Sequence, residues 1–175
     1  MTPKFVTVLA ALAIGSIAPA ALAQRMIIGG DLMLSSGLEG GDPGTGTMLF
    51  RRARSRISLG IDLAVDEDPN GIFAIRPFAE VEPHASFGAE IRYGRRIGKM
   101  FVPFAGASVL LAPNTLLGAV AGFQVHFPIG QSSLFIEPSF SAMPFGSDMP
   151  NQSVLLWFLV SVGFRTTVYN PPPGE

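Results

Sequence analysis

One histidine–serine pair in the sequence could support nucleophilic catalysis. His126 and Ser133 flank a predicted four-residue turn, 128–131, which would set their side chains opposite each other on neighbouring strands. A histidine beside a serine hydroxyl is the minimum that a serine hydrolase needs, because the imidazole removes the hydroxyl proton. Glu137 lies several residues further along, so no acid has an obvious position to orient His126. We therefore interpret His126 as a polar interior residue and predict no catalytic site.

A larger set of ionisable residues recurs at alternate positions of apolar segments. From Arg56 to Val65 the odd positions are large and apolar, whereas the even positions are small or charged. A period of two is typical of a β-strand with one apolar and one polar face. Acids and arginines are nearly balanced on the polar face, as a desolvated interior requires. The predicted interior ion network comprises Asp31, Arg56, Asp62, Arg76, Glu80, Glu82, Glu90, Arg92, Glu137 and Arg165.

The same period continues along most of the chain and predicts eight strands. Most connections between them are short turns, whereas the connections 36–52 and 143–152 are long. Gly, Pro, Asn and Asp mark the breaks between strands. The predicted strands cover about 25–35, 54–66, 71–83, 86–97, 100–112, 115–127, 132–142 and 153–168.

Turn lengths predict which residues of each strand face outward, because opposed residues of an antiparallel pair lie on the same face of the sheet. Odd positions carry the apolar face before the turn at 98–99. That two-residue turn moves the apolar face to even positions over 100–112, and a turn at 113–114 returns it to odd positions. The turn 128–131 then moves it to even positions.

The composition indicates that the apolar face contacts lipid. Charged residues make up only 14% of the 175 residues, against about 25% in a typical soluble domain. A soluble barrel needs lysine and glutamate on its outer face, but Lys99 is the single lysine after residue 23 and lies in a predicted turn. Strands of about 11 residues cross a bilayer when they are tilted. We therefore predict a transmembrane barrel rather than a soluble one.

A helical membrane protein is the competing interpretation. No Asp, Glu, Lys or Arg occurs from Met100 to Ile136, so hydropathy alone also fits membrane helices there. Pro103, Pro113 and Pro128 divide this region into pieces of about a dozen residues, short of the roughly 20 that a spanning helix needs. The strand interpretation is favoured.

Charge and composition exclude several function classes. A net charge of −1 offers no basic surface for nucleic acid. The absence of cysteine removes thiolate metal sites and cysteine nucleophiles. Neither Gly29-Gly30 nor Gly40-Gly41 leads into a phosphate-binding motif. No cofactor and no metal site are predicted.

The first 23 residues are typical of a secretory signal peptide. Lys4 precedes an apolar run over residues 5–18, and Ala21-Leu22-Ala23 fits a cleavage site. The apolar run is short for a transmembrane helix. The predicted organisation is a signal peptide over 1–23, cleaved near Ala23, a barrel over 24–170 and a short Pro-rich tail over 171–175.

This pattern resembles the small eight-stranded outer-membrane β-barrels of Gram-negative bacteria, of the type seen in the transmembrane domain of outer membrane protein A. The resemblance covers Gln24–Tyr169 and rests on the strand pattern rather than on a sharp motif. It implies an all-β, eight-stranded antiparallel up-and-down barrel, placed among outer-membrane lipids by barrel-insertion machinery. Such chains commonly end on an aromatic residue, whereas here residues 170–175 follow Tyr169.

The resulting expectation is a non-enzymatic barrel with a structural or surface-interaction role through the outer loops 36–52 and 143–152. Arg51, Arg52 and Arg54 form either a solvated loop end or a contact for lipopolysaccharide phosphates, which arginine binds bidentately. A small-solute channel and a lipid-modifying enzyme are the alternative functions.

The interior charges are expected to brace the barrel rather than to line a pore. Side chains just fill the interior of an eight-stranded barrel, which leaves little room for a channel. The expected pairs are Arg56 with Glu80 or Glu82, Arg76 with Asp62, and Arg92 with Glu80 or Glu82.

Overall fold

Eight antiparallel strands form a barrel that closes on itself. The computed structural model describes residues 26–42, 49–65, 68–82, 84–147, 149 and 153–169, without the side chains of residues 49–52 and 169. The strands are β1 (Met26–Asp42), β2 (Leu49–Val65), β3 (Asp68–Glu82), β4 (Ser86–Arg95), β5 (Phe101–Ala112), β6 (Leu116–Ile129), β7 (Ser132–Gly146) and β8 (Val154–Tyr169). Each strand pairs with the next, and β8 pairs with β1. The prediction of an all-β, eight-stranded up-and-down barrel is confirmed.

The uncharged region 100–136 is built of strands. It forms β5, β6 and the beginning of β7. Within the ranges given above, the structure contains no helix long and apolar enough to cross a membrane. The helical interpretation of this region is therefore wrong.

The two faces of the strands separate apolar from polar side chains. Even residues of β2 to β6 and odd residues of β7, β8 and β1 point into the lumen. The outward positions in mid-strand carry large apolar side chains such as Leu34, Leu59, Ile91 and Val162. The exposed ionic side chains in the described part of the chain, Glu82, Arg95, Arg96 and Lys99, lie at strand ends or in a turn. Such an uncharged outer band is the surface that a lipid-embedded barrel presents.

The turn between β4 and β5 is longer than predicted. Ile97 pairs with Phe101 around residues 98–100. Gly98 adopts a φ of 65°, a conformation that favours glycine because other residues clash there. A turn with an odd number of residues leaves the outward parity unchanged. The prediction that even residues of β5 face outward is therefore wrong, and Phe104 lies inside.

The next two turns restore the predicted orientation of β6 and β7. Leu110 pairs with Leu116, so the connection between β5 and β6 also has an odd number of residues rather than the predicted two. The two differences in turn length compensate each other, and the odd residues of β6 face outward as predicted. Ile129 then pairs with Ser132 around a two-residue turn that begins with Gly130 at φ 62°, a tight hairpin geometry that suits glycine. The turn is shorter than predicted but also even, so the outward even positions of β7 are confirmed.

The strands extend well into the regions predicted as long outer loops. The end of the barrel that carries Met26 and Tyr169 is termed the terminal end, and the opposite end the loop end. Residues 36–42, 49–52 and 143–146 belong to β1, β2 and β7, so the predicted loops 36–52 and 143–152 are too long. Pairing of β1 with both β2 and β8 supplies hydrogen bonds to this Gly-rich segment, and these override its local preference for loop.

The predicted signal peptide, 1–23, and the Pro-rich tail, 171–175, lie outside the described residues and stay predictions.

Candidate functional site

A continuous series of ionic side chains fills the lumen and is called the charge chain below. Alternation along six strands aims these residues inward, and small residues opposite them leave room. Gly60, for example, pairs with Asp31, and a Cβ atom at Gly60 would lie 2.6 Å from Asp31 Oδ2. From the loop end to the terminal end, the members are Glu39, Arg54, Glu80, Arg56, Glu90, Arg92, Glu137, Arg76, Asp31, Asp62 and Arg165.

The loop-end half alternates strictly between acids and arginines. Arg54 forms ion pairs with both Glu39 and Glu80. Arg56 continues the series through Nη2, which lies 2.8 Å from Glu80 Oε1, and through Nη1, which lies 2.7 Å from Glu90 Oε1. Both guanidinium groups are almost fully buried. Because each charge meets partners of opposite sign, the pairing offsets the desolvation of this half.

The terminal-end half continues through Glu137, which is fully buried. Arg92 donates from Nε to Glu90 Oε2 at 2.7 Å and from Nη1 to Glu137 Oε1 at 2.7 Å. Arg76 donates from Nη1 to Glu137 Oε2 at 3.0 Å and from Nη2 to Asp31 Oδ2 at 2.5 Å. Glu137 thereby joins two arginines from different strands across the lumen.

Asp62 and Arg165 end the charge chain. Arg165 Nη2 lies 3.0 Å from Asp62 Oδ2. Arg76 is more distant from Asp62, with Nη2 3.6 Å from Oδ1. An internal cavity of about 20 Å³ adjoins these three side chains, which is space for about one water molecule.

Aromatic rings cover three of the arginines. The guanidinium carbon of Arg54 lies 4.0 Å from the ring centre of Trp157, and that of Arg56 lies 4.0 Å from the ring centre of Phe78. Arg92 lies 4.2 Å from the ring centre of Phe104. Cation–π contacts of this kind strengthen when they are desolvated.

An apolar cluster closes the lumen near the loop end. Trp157 and Met143 are 0% exposed, and the Trp157 indole donates to Glu39 Oε2 at 3.1 Å. The cluster comprises Phe78, Leu110, Leu116, Met143 and Trp157. Above it, a cavity of about 150 Å³ opens between apolar walls such as Leu116 and Leu155 and a floor that includes Arg54. We term this space the mouth cavity.

His126 lies in a hydrogen-bonded series near the terminal end. Its Nδ1 is 2.9 Å from Ser133 Oγ, and its Nε2 is 2.9 Å from Gln124 Oε1. The Gln124 amide nitrogen donates to Glu137 Oε2 at 2.7 Å, so Oε1 is left to accept from His126 Nε2–H. His126 Nδ1 is then an acceptor for the Ser133 hydroxyl. Register places His126 opposite Phe135 rather than Ser133, so the predicted contact is present but diagonal.

Within the described part of the chain, the hydrogen bonds of His126 go to Ser133 and Gln124 and not to a carboxylate. An amide, not a carboxylate, adjoins His126, and His126 itself is 5% exposed. The nearby internal cavity of about 20 Å³ is too small for an acyl chain, whose burial needs a pocket of several hundred Å³. The arrangement fits a structural hydrogen-bond series that fixes the histidine ring.

The structure brings nine of the ten residues of the predicted network into the charge chain, and Glu82 is the exception. A β-bulge between Ser55 and Arg56 shifts the pairing at the end of β3, and Glu82 is exposed, with its carboxylate 3.4 Å from Ser55 Oγ. The pairing of Arg92 with Glu80 or Glu82 is likewise wrong, since Arg92 pairs with Glu90 and Glu137.

The prediction that Arg54 contacts lipopolysaccharide is wrong. Arg54 is 5% exposed and belongs to the charge chain, because β2 begins earlier than predicted and its even positions face inward. Arg51 and Arg52 lie on β2 near the loop end, but their side chains lie outside the described part.

Sequence reasoning missed Glu39 and Trp157. Glu39 fell within a predicted loop, although the odd inward parity of β1 extends from Asp31 through Ser35 to Glu39. That parity is the signal that could have found it. Trp157 follows the odd inward parity of β8, but hydropathy alone assigns a tryptophan to the outer face.

The described side chains include no group of three or more His, Asp or Glu residues that could hold a metal ion. No protein-family model matches the sequence, and no curated protein matches it. Among solved structures, Neisserial surface protein A is similar at 13% identity and a TM-score of 0.47, over 78% of this chain and 96% of that chain. A de novo designed transmembrane β-barrel is similar at 13% identity and a TM-score of 0.42, over 79% of this chain and 95% of that one.

Proposed function

We propose that this chain is a non-enzymatic integral outer-membrane β-barrel that does not conduct and acts through its loop end. The observation that carries the proposal is the combination of an uncharged, apolar outer band with a lumen filled by the charge chain and the apolar cluster. A closed barrel satisfies its backbone hydrogen bonds internally, which is the condition for crossing a bilayer with strands.

The lengths of the connections support an orientation with the loop end outward. At the terminal end, residues 66–67, 96–100 and 130–131 join the strands, whereas 43–48 and 147–153 are longer connections at the loop end. Outer-membrane barrels have short periplasmic turns and longer external loops. The mouth cavity would then open to the exterior, and the predicted signal peptide would deliver the chain across the inner membrane.

Contact with lipopolysaccharide remains part of the proposal for Arg51 and Arg52. Both residues lie at the loop-end start of β2, where the phosphates of an outer leaflet would be. Arg54 is excluded because its guanidinium group is occupied by Glu39 and Glu80. Insertion by the barrel-insertion machinery, with Tyr169 at the end of β8 as the aromatic signal, is proposed on the resemblance alone.

Gel mobility and circular dichroism test the membrane-barrel assignment. Unboiled protein in detergent should migrate differently from boiled protein, because a closed barrel resists unfolding by detergent. Its spectrum should be of the β-sheet type and should persist after reconstitution into vesicles. Identical mobilities together with a soluble, lipid-free folded protein would contradict the assignment.

Lipid-modifying activity is the alternative that the His126–Ser133 contact favours. Lipid A extracted from cells that express the chain should have the same mass profile as lipid A from cells that express His126→Ala. Loss of acyl groups that depends on both His126 and Ser133 would replace the non-enzymatic proposal.

A further inference from the structure

Two carboxylates of the charge chain, those of Asp31 and Asp62, are neighbours in the lumen. Each arginine lies between carboxylates, from Glu39 through to Arg76. Beyond Arg76, however, Asp31 and Asp62 are diagonal neighbours on β1 and β2. Arg76 Nη2 lies 2.5 Å from Asp31 Oδ2 and 3.6 Å from Asp62 Oδ1, so the two carboxyl groups lie side by side. Two carboxylates in such contact repel strongly when both are ionised.

The two aspartates keep unpartnered oxygens at this contact. Asp31 binds Arg76 through Oδ2, and Asp62 lies against Arg165 through Oδ2. Asp31 Oδ1 and both carboxylate oxygens of Asp62 are buried and accept no hydrogen bond. The exposed fraction of the side chain is 0% for Asp31 and 3% for Asp62. A buried acceptor without a donor is unfavourable, so these oxygens need a hydrogen-bond donor.

The net charge of the described lumen side chains also indicates that a positive charge is missing from the lumen. They include six carboxylates, of Asp31, Glu39, Asp62, Glu80, Glu90 and Glu137, but only five guanidinium groups, of Arg54, Arg56, Arg76, Arg92 and Arg165. Fully ionised, they carry one uncompensated negative charge in a desolvated space. The neighbouring carboxylates of Asp31 and Asp62 mark where that charge lies.

We propose that Asp31 and Asp62 form a proton-binding site in which the two carboxyl groups share one proton. The proton comes from solvent, forms an O–H bond on one Oδ1 atom and is donated in a hydrogen bond to the other. Binding of this proton supplies the missing hydrogen-bond donor and removes the repulsion between the two carboxylates. It also makes the set of described lumen charges neutral. Two carboxyl groups in close contact can share one proton, because like charges so near each other cannot both ionise.

A proton fits this site better than a metal ion. Hard cations need about six or more oxygen ligands, whereas three oxygens of this pair lack a hydrogen bond. The Asp31 carboxylate packs against Gly60 with no space between them. The groups that face the pair from the surrounding strands are Arg76 on β3, Arg165 on β8, Glu137 on β7, Arg92 on β4 and His126 on β6. The cations among them are already engaged with carboxylates.

Infrared spectroscopy of the purified barrel in detergent at pH 8 tests the proposal. The wild-type spectrum should contain the carbonyl stretch of one protonated carboxylic acid per chain, and the band should shift in D₂O. Asp31→Asn and Asp62→Asn should each abolish the band. Glu82→Gln is the matched control, because Glu82 is exposed and outside the charge chain, and it should retain the band at wild-type intensity.

A urea-unfolding series gives a second readout. Asn at either aspartate donates the hydrogen bond that the proton provides, so its unfolding midpoint at pH 8 should equal or exceed that of the wild type. Glu137→Gln, which removes a carboxylate with both oxygens bonded to guanidinium groups, should unfold at lower urea. Absence of the band from the wild type overturns the proposal even if no variant refolds. A midpoint that rises in sodium chloride over choline chloride, without the band, overturns it in favour of a bound cation.

Discussion

At the scale of single residues, each interior charge depends on ion pairs with residues that lie far apart in sequence. Arg76 on β3 joins Asp31 on β1 to Glu137 on β7. Glu137 is shared with Arg92 and with the Gln124 amide. Removing one member therefore exposes the charge of others, and the size of the effect depends on which partner keeps a second contact.

Arg76→Ala should lower the free energy of unfolding by about 3–5 kcal/mol, because a buried carboxylate is left without its cation. Asp31 loses its only ion pair, whereas Glu137 keeps Arg92. Adding Asp31→Asn should therefore recover part of the loss, and adding Asp62→Asn should recover less, because Asp62 retains Arg165. Urea unfolding in detergent measures this, with the exposed Arg95→Ala as the control. A loss as small as that of Arg95→Ala would indicate a hydrated lumen.

Gly163 illustrates how tightly the lumen is packed. A Cβ atom there would lie 2.7 Å from Phe135 Cε1, and Phe135 is 1% exposed. Gly163→Ala should therefore destabilise the barrel by about 1–3 kcal/mol through overpacking. Gly30→Ala is the matched control, since its Cβ would meet its nearest neighbour at an ordinary 3.5 Å. Equal unfolding midpoints for the two variants would contradict the packing described for β7 and β8.

At the scale of elements, each strand is a boundary between the lumen and the outer band. Leu59 lies in the middle of β2 on the outer face and is 60% exposed, which is favourable only if lipid covers it. Leu59→Arg should destabilise the barrel in vesicles by about 2–4 kcal/mol, whereas Ala53→Arg, near the loop end of the same face, should change stability by about 0–1 kcal/mol. If vesicle-reconstituted protein tolerates both changes equally, the outer face does not contact the hydrocarbon core.

Strand number, closure and most inward residues follow from the alternation of residue types, because a period of two is a local property. Register is not local. The orientation of β5 depended on one residue in the turn after Ile97, and both faces of that strand are apolar, so nothing in its own sequence corrected the error. The extension of β1 to Asp42 depends on backbone hydrogen bonds with β2 and β8. The Gly-rich sequence of this segment does not predict those bonds.

The candidate site was predictable in its members but less so in its connections. Parity identified Arg56, Arg76 and Glu137 as interior residues, since each lies on a clearly alternating strand. It could not indicate that Arg92 would meet Glu137, because those residues lie on β4 and β7 and meet only across the closed lumen. The prediction for Glu82 failed for a related reason, since the bulge at Val81 on β3 depends on pairing with β2 and is not visible in the sequence.

At the scale of the whole molecule, the barrel combines an apolar outside with an ionic inside, the reverse of a soluble protein. In the proposed function lipid covers the outside, and the charge chain compensates the inside almost completely. The loop end is sealed by the apolar cluster around Trp157, and the mouth cavity lies above that seal. These features support the proposed non-conducting barrel rather than a pore.

Planar-bilayer conductance of the reconstituted wild-type barrel tests this account most directly. Filled eight-stranded interiors leave no aqueous channel, so insertion should produce no discrete current steps above the lipid background, although flotation shows the protein in the membrane. Stable, reproducible current steps whose ion selectivity changes in Arg76→Ala would show that ions pass along the charge chain and would contradict the closed lumen.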